Sequence, residues 1–203
     1  NVIRAFESID CDVKITKDKN TIINSDRLLL PGVGAFEDGI KDLKSNNLDD
    51  VIKEFSETGR PLLGICLGMH LLMTCSEENG LHHGLDIIKG KVVRFKDPIK
   101  KTENYKIPQI GWNELIPANN PTKTMNSPWS DTILKGFDDK IYMYFLHSYF
   151  VVPEKKEICI AQTLYGRDLF CSVYKQDQIY GCQYHPERSG EQGLTILKNF
   201  INL

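Results

Sequence analysis

Three short segments of this 203-residue chain carry groups that could do covalent chemistry together. The first is Gly64-Ile-Cys66-Leu-Gly68, where an apolar run ends in a cysteine with a glycine two residues away on either side. On a strand-to-helix turn, small neighbours let the backbone bend sharply. The thiol then projects above the sheet, and the N–H of Leu67 points the same way. A helix N-terminus beyond the turn favours the thiolate. Taken alone, the pentapeptide describes a buried cysteine in a glycine-flanked turn equally well.

A thiolate nucleophile needs a proton shuttle. His185-Pro186-Glu187 supplies one at the end of an alternating apolar-polar run. The proline fixes the backbone between the two side chains, so the carboxylate can hold the imidazole while the ring exchanges protons with sulfur. The third segment is Pro31-Gly32-Val33-Gly34, which follows the apolar run Arg27–Leu30. Its glycines let backbone N–H groups turn toward a ligand. With the Leu67 N–H they would stabilise the negative oxygen of an acyl-transfer intermediate. Such a loop could also cradle a phosphate, although the Gly-Lys-Ser/Thr of a nucleotide P-loop does not follow it. Nucleophile, shuttle and oxyanion donors together describe acyl transfer.

Elements able to position these segments can be read from periodicity. Val2, Phe6 and Ile9 have helical spacing over residues 1–9, and Asp12–Thr16 alternates as a strand does. Arg27–Pro31 reads as a second strand, 37–43 and 48–58 as helices, and Leu62–Ile65 as a strand entering the cysteine turn. Strand and helix therefore alternate, which argues an α/β fold: an open, mostly parallel sheet with helices on both faces. After about residue 85 the pattern changes to short strands at Gly90–Phe95, Trp112–Ile116, Ile141–Val151, Ile158–Thr163 and Leu169–Tyr174, expected as antiparallel additions. Leu194, Leu197, Phe200 and Ile201 form one face of a closing helix over Gly193–Leu203. The length suits one domain over 1–203.

Composition excludes several other roles. The chain has 25 basic and 27 acidic residues, a net charge of −2, and neither sign runs in a block. It therefore offers no electrostatic footprint for nucleic acid or an anionic membrane. No apolar run approaches a membrane span, and no leader-like segment opens the sequence. Its six cysteines have no Cys-x-x-Cys spacing, so reduced thiols and a cytoplasmic location are expected. No cluster has metal-ligand spacing, no cofactor is called for, and His82-His83 reads as a solvated loop pair.

Loop, cysteine turn and His-Pro-Glu, in that order within an alternating α/β chain, resemble the class I (triad) glutamine amidotransferases of flavodoxin-like fold. The resemblance covers nearly the whole chain. Leu30–Phe36, Lys91–Phe95, Ile110–Asn113, Tyr144–Tyr149 and Gln183–Ser189 are similar to the glutaminase subunits of imidazole glycerol phosphate synthase. It implies that Cys66 attacks glutamine, His185 is general base and acid, and Glu187 orients it. It implies oxyanion donors at Val33, Gly34 and Leu67, and glutamine held by position 70, Glu78, Ser148 and Tyr149. It further implies a heterodimer in which ammonia passes to a (β/α)₈ synthase subunit, with low activity in the free chain. The family's first strand and its Tyr-Gly-x-Gly-Asn turn would precede Asn1.

Two positions depart from that pattern. The family's glutamine four residues after the nucleophile is His70, and its Pro-His-Met before Gly-Trp-Asn is Pro108-Gln109-Ile110. Histidine donates one hydrogen bond as the amide does, so glutamine affinity is expected to be altered and sensitive to pH. The departures leave a paralogue that supplies ammonia for sugar amination or amidination as an alternative, and a non-catalytic scaffold as a second. A glutaminase of pyridoxal-phosphate synthesis fits the 183–189 segment less well.

Overall fold

Leu62–Cys66 (β2) is buried along its whole length, which its apolar run requires of a strand covered on both faces. It lies between β1 (Leu28–Gly32) and β11 (Ile179–Cys182), both parallel to it. Beyond β11 the sheet continues through β10 (Asp168–Gln176), β9 (Cys159–Tyr165), β6 (Gln109–Pro117) and β7 (Ile141–His147), each antiparallel to its neighbour. A second, four-stranded sheet has the order β4 (His82–His83), β3 (Met73–Ser76), β5 (Ile88–Arg94), β8 (Tyr149–Pro153). These features come from a computed structural model that describes residues 1–99, 105–118, 129–137 and 140–203.

Helices cover both faces of the larger sheet, as the alternation implies. Leu63 and Ile65 of β2 join a core with Phe6 of α1 (Val2–Glu7) and with Leu197 and Phe200 of α6 (Gly190–Ile201). Leu62 joins the other core, with Phe36 and Ile40 of α3 (Phe36–Ser45), Val51 and Phe55 of α4 (Leu48–Ser56), and Met69 of α5 (Leu67–Leu71). The parallel share is smaller than the periodicity suggested: among the described residues only the β1–β2 and β2–β11 ladders of this sheet are parallel. The antiparallel additions form the rest.

Three local expectations need correction. Asp12–Thr16 is extended but is not a strand. No neighbouring backbone pairs with it among the described residues, and Ile15 stands 77% exposed. A strand needs a ladder as well as an alternation. Just after it a short helix, α2 (Lys19–Ile23), is started by Asp18, whose carboxylate accepts the Thr21 N–H. The run Ile141–Val151 breaks at Ser148 into β7 and β8, which enter different sheets. Finally, His82-His83 pairs with β3, with His83 opposite Cys75.

Candidate active site

The register of β1 on β2 sets the frame, because it puts Gly32 directly opposite Cys66. At Cys66 the chain leaves β2 with φ 51° and ψ −108°, a left-handed conformation that side chains rarely adopt. The flanking glycines answer to contact. A Cβ at Gly64 would lie 2.8 Å from backbone atoms of Gly68 and Met69, and one at Gly68 would lie 1.7 Å from the Leu30 carbonyl oxygen. The turn is thus pressed between β1 and the start of α5. That helix is only five residues long, so the dipole expected to favour a thiolate is small.

His185 follows β11, and Pro186 opens a 3₁₀ turn over Pro186–Arg188. The His185 Nδ1–H donates to Glu187 Oε1 at 2.9 Å, with both side chains buried. The turn is tied to β7 from two sides. The His185 N–H donates to the Tyr144 carbonyl at 2.9 Å, while Ser189 Oγ donates to the His185 carbonyl and accepts the Tyr144 N–H. Burial opposes a charge on the ring, but the Cys66 sulfur and the Glu187 carboxylate outweigh it and raise its pKa to about 9. An imidazolium is therefore favoured near neutrality. Its Nε2 has no hydrogen-bond partner among the described residues.

Cys66 and His185 line one cavity of about 270 Å³, just under the ~300–1,000 Å³ of drug-sized ligand sites and suited to an amino acid. The structure brings all of the sequence-derived site residues there except Glu187, which stands behind His185: Val33, Gly34, Leu67, His70, Glu78, Ser148 and Tyr149 share the wall. Val33 is exposed, and Gly34 has φ +106° with nothing within 4 Å of a Cβ position, so that loop stands clear of its surroundings. Glu78 is held by one oxygen, with Oε2 accepting the Phe36 N–H at 2.9 Å at the start of α3. Ser148 and Tyr149 reach the wall because β7 breaks into β8 there, and the Ser148 carbonyl accepts the Phe95 N–H.

His70 differs from expectation. Its Nε2 lies 2.8 Å from Gln183 Oε1, so the donor expected to face glutamine is engaged within the protein. Burial lowers its pKa to about 4, so the ring stays neutral over pH 6–8 and cannot carry the expected pH sensitivity in that range. Two further residues escaped the sequence reading. Gln183 is fully buried and contacts both His70 and the Cys66 sulfur. His147 donates from Nδ1 to the Tyr149 carbonyl at 2.8 Å, packs among Phe95, Phe145 and Phe170, and lines the cavity. Gln183 lies two residues before His185 and His147 lies next to Ser148, but only burial marks them.

These buried rings make a pH prediction. Desolvation lowers the pKa of His147 to about 3 and that of His70 to about 4, both below the ordinary 6.5. Their contribution to stability is complete above about pH 6.5. As the pH falls from there toward those values, each ring gives up about 1.4 kcal/mol for every pH unit. Urea midpoints should therefore drop on acidification from pH 7 to 5, and drop less in His147→Gln than in the native protein. Equal slopes would show that the buried rings are not responsible.

Comparison with known proteins agrees with this geometry. The family model for class-I glutamine amidotransferases matches residues 1–203. The chain is 42% identical over 203 residues to the imidazole glycerol phosphate synthase subunit HisH 1 of Legionella pneumophila (strain Paris), covering all of this chain and 93% of that one. It is 38% identical, with the same coverage, to the HisH subunit of Wolinella succinogenes. A crystal structure of a glutamine amidotransferase superposes with a TM-score of 0.66 at 16% identity, covering 98% of this chain and 89% of that one, a likeness of fold.

Proposed function

This chain belongs to the class-I glutamine amidotransferase family, and on that basis we propose that it is the glutaminase subunit of an imidazole glycerol phosphate synthase. The observation that carries the reading is one cavity holding a strained cysteine, a carboxylate-held histidine and a glycine loop within a family whose relatives bear that name. Cys66 Sγ attacks the carboxamide carbon of glutamine. The carbonyl oxygen gains negative charge and is held by the Leu67 N–H and the Val33–Gly34 loop. His185 Nε2 gives its proton to the departing nitrogen, leaving a γ-glutamyl thioester on Cys66. The ring then takes a proton from water, the hydroxide displaces the thiolate, and glutamate leaves. Glu187 holds the ring through both steps. Glu78 offers its carboxylate to the substrate ammonium, while the backbone at Ser148 and Tyr149 receives the α-carboxylate.

The ammonia passes to a (β/α)₈ synthase subunit, which cleaves a phosphoribulosyl formimino intermediate to imidazole glycerol phosphate and an aminoimidazole carboxamide ribotide in histidine synthesis. A docking face is available beside the cavity. Ile110 (61% exposed) and Trp112 (57%) of β6 pair across the ladder with Leu146 and Tyr144 of β7, next to Tyr142 (53%), and Leu146 also lines the cavity. An apolar patch of this kind marks an interaction surface. Six free cysteines suit the reducing cytoplasm. Among the described residues no helix is long and apolar enough to cross a membrane, and no group of acidic, histidine and cysteine side chains is placed to hold a metal.

The test is glutamate release with and without a histidine-pathway barrel subunit and its phosphoribulosyl ligand. We expect stimulation of about tenfold or more, lost when Trp112 is replaced by glutamate. Free-chain turnover equal to that of the assembled complex would remove the coupling. Silence with this barrel and stimulation by a sugar-pathway barrel would assign the chain to the paralogue, which the departure at Ile110 within this patch would then explain, whereas Gln109 is buried beneath it.

A further inference from the structure

The reaction proposed for Cys66 leaves Gln183 and His70 without a task, yet both are buried within reach of the sulfur or one residue removed from it. Gln183 is 0% exposed, and both ends of its amide are engaged. A carbonyl oxygen only accepts, so the 2.8 Å contact requires His70 to present its Nε2–H to Gln183 Oε1. That contact orients the amide. Its nitrogen end then faces Cys66 Sγ at 3.9 Å, within reach of an N–H···S hydrogen bond. The chain of donation has one direction: His70 to Gln183, and Gln183 to sulfur.

We propose that His70 and Gln183 are positioning residues for the nucleophile, with the His70 N–H fixing the Gln183 amide so that its N–H stabilises the Cys66 thiolate. The inference rests on Cys66 being the nucleophile of the proposed function. An N–H aimed at sulfur favours the anion over the neutral thiol, because only the anion offers a full charge to accept it. The short α5 can supply little of this by its dipole, so the Gln183 amide adds to the stabilisation that the His185 ring gives the sulfur. His70 suits the task because burial keeps it neutral, with its single proton on the nitrogen that faces Gln183. The other ionisable groups around the sulfur are His185, Glu187 and Cys182 from the β11 side, His147 from β7, Tyr149 from β8 and Glu78 beyond β3. All of them remain in the variants below, so a change in thiolate formation reports the amide.

The experiment follows alkylation of Cys66 by iodoacetamide as a function of pH, read on the Cys66 peptide by mass spectrometry, in the full chain without glutamine. Gln183→Met removes the N–H at similar volume, and His70→Leu removes the group that aims it. Both profiles should move to higher pH by about one pH unit, so that alkylation below the midpoint slows about tenfold. His70→Gln keeps a donor for Gln183 Oε1 and should hold the native profile. Native profiles in both apolar variants would overturn the proposal, as would failure of both to fold while His70→Gln folds, since the pair would then be structural. Because alkylation needs no substrate, this result is separate from whether the chain hydrolyses glutamine: a chain silent toward glutamine even with either barrel subunit present, whose alkylation still shifts, would refute the function and keep the contact between the pair and the thiolate.

Discussion

Glutamate release falls by more than about 10⁴-fold when Cys66 is replaced by alanine, and the protein continues to fold. The expectation rests on the absence of a substitute. Of the other cysteines, Cys159, Cys171 and Cys182 are buried, burial pushes the thiols of Cys171 and Cys182 well above their usual range, and neither Cys11 nor Cys75 lines the cavity. Removing sulfur leaves the oxyanion donors and His185 in place, but the remaining route is direct attack by water on an unactivated amide. The measurement is enzyme-coupled glutamate detection with the barrel subunit present, beside a thermal melt. The melt matters because Cys66 sits at φ 51°, and alanine must adopt the same strained turn. A variant that keeps its melting temperature and more than about one per cent of the activity would remove Cys66 from the reaction.

The second large effect is on folding. Gly68→Ala would drive a methyl group to 1.7 Å from the Leu30 carbonyl oxygen, and the obstacle is backbone of β1, which is itself bound to β2. No side-chain rotation relieves such a clash. The start of α5 must lift from the sheet, taking Leu67 and Met69 out of the core. We expect a loss beyond about 4–5 kcal/mol, enough to unfold a domain of ordinary stability. Gly34→Ala is the informative contrast, because nothing lies within 4 Å of its Cβ position and only the φ of +106° is offended. That change should cost about 1–2 kcal/mol of local strain and act on the loop more than on the fold. Soluble yield and melting temperature of the two variants decide the matter: a Gly68→Ala protein melting within a few degrees of the native one would mean that the turn is not packed as described.

Features confined to a few consecutive residues are legible in the sequence. The apolar run of β2, the glycines around Cys66, the Pro31–Gly34 loop and the His185-Pro186-Glu187 turn are all of this kind, so spacing alone reveals their geometry. The faces of α3, α4 and α6 follow from helical periodicity in the same way. Features that depend on a distant neighbour needed the folded chain. Asp12–Thr16 alternates as a strand does but finds no ladder among the described residues, and Ile141–Val151 reads as one strand but divides at Ser148 between two sheets. The largest revision concerns His70. One turn beyond the nucleophile it reads as a donor for substrate, and its proton is instead directed to Gln183, 113 residues away. A buried polar group must satisfy its hydrogen bonds with whatever the fold brings beside it, and sequence spacing carries no record of that partner.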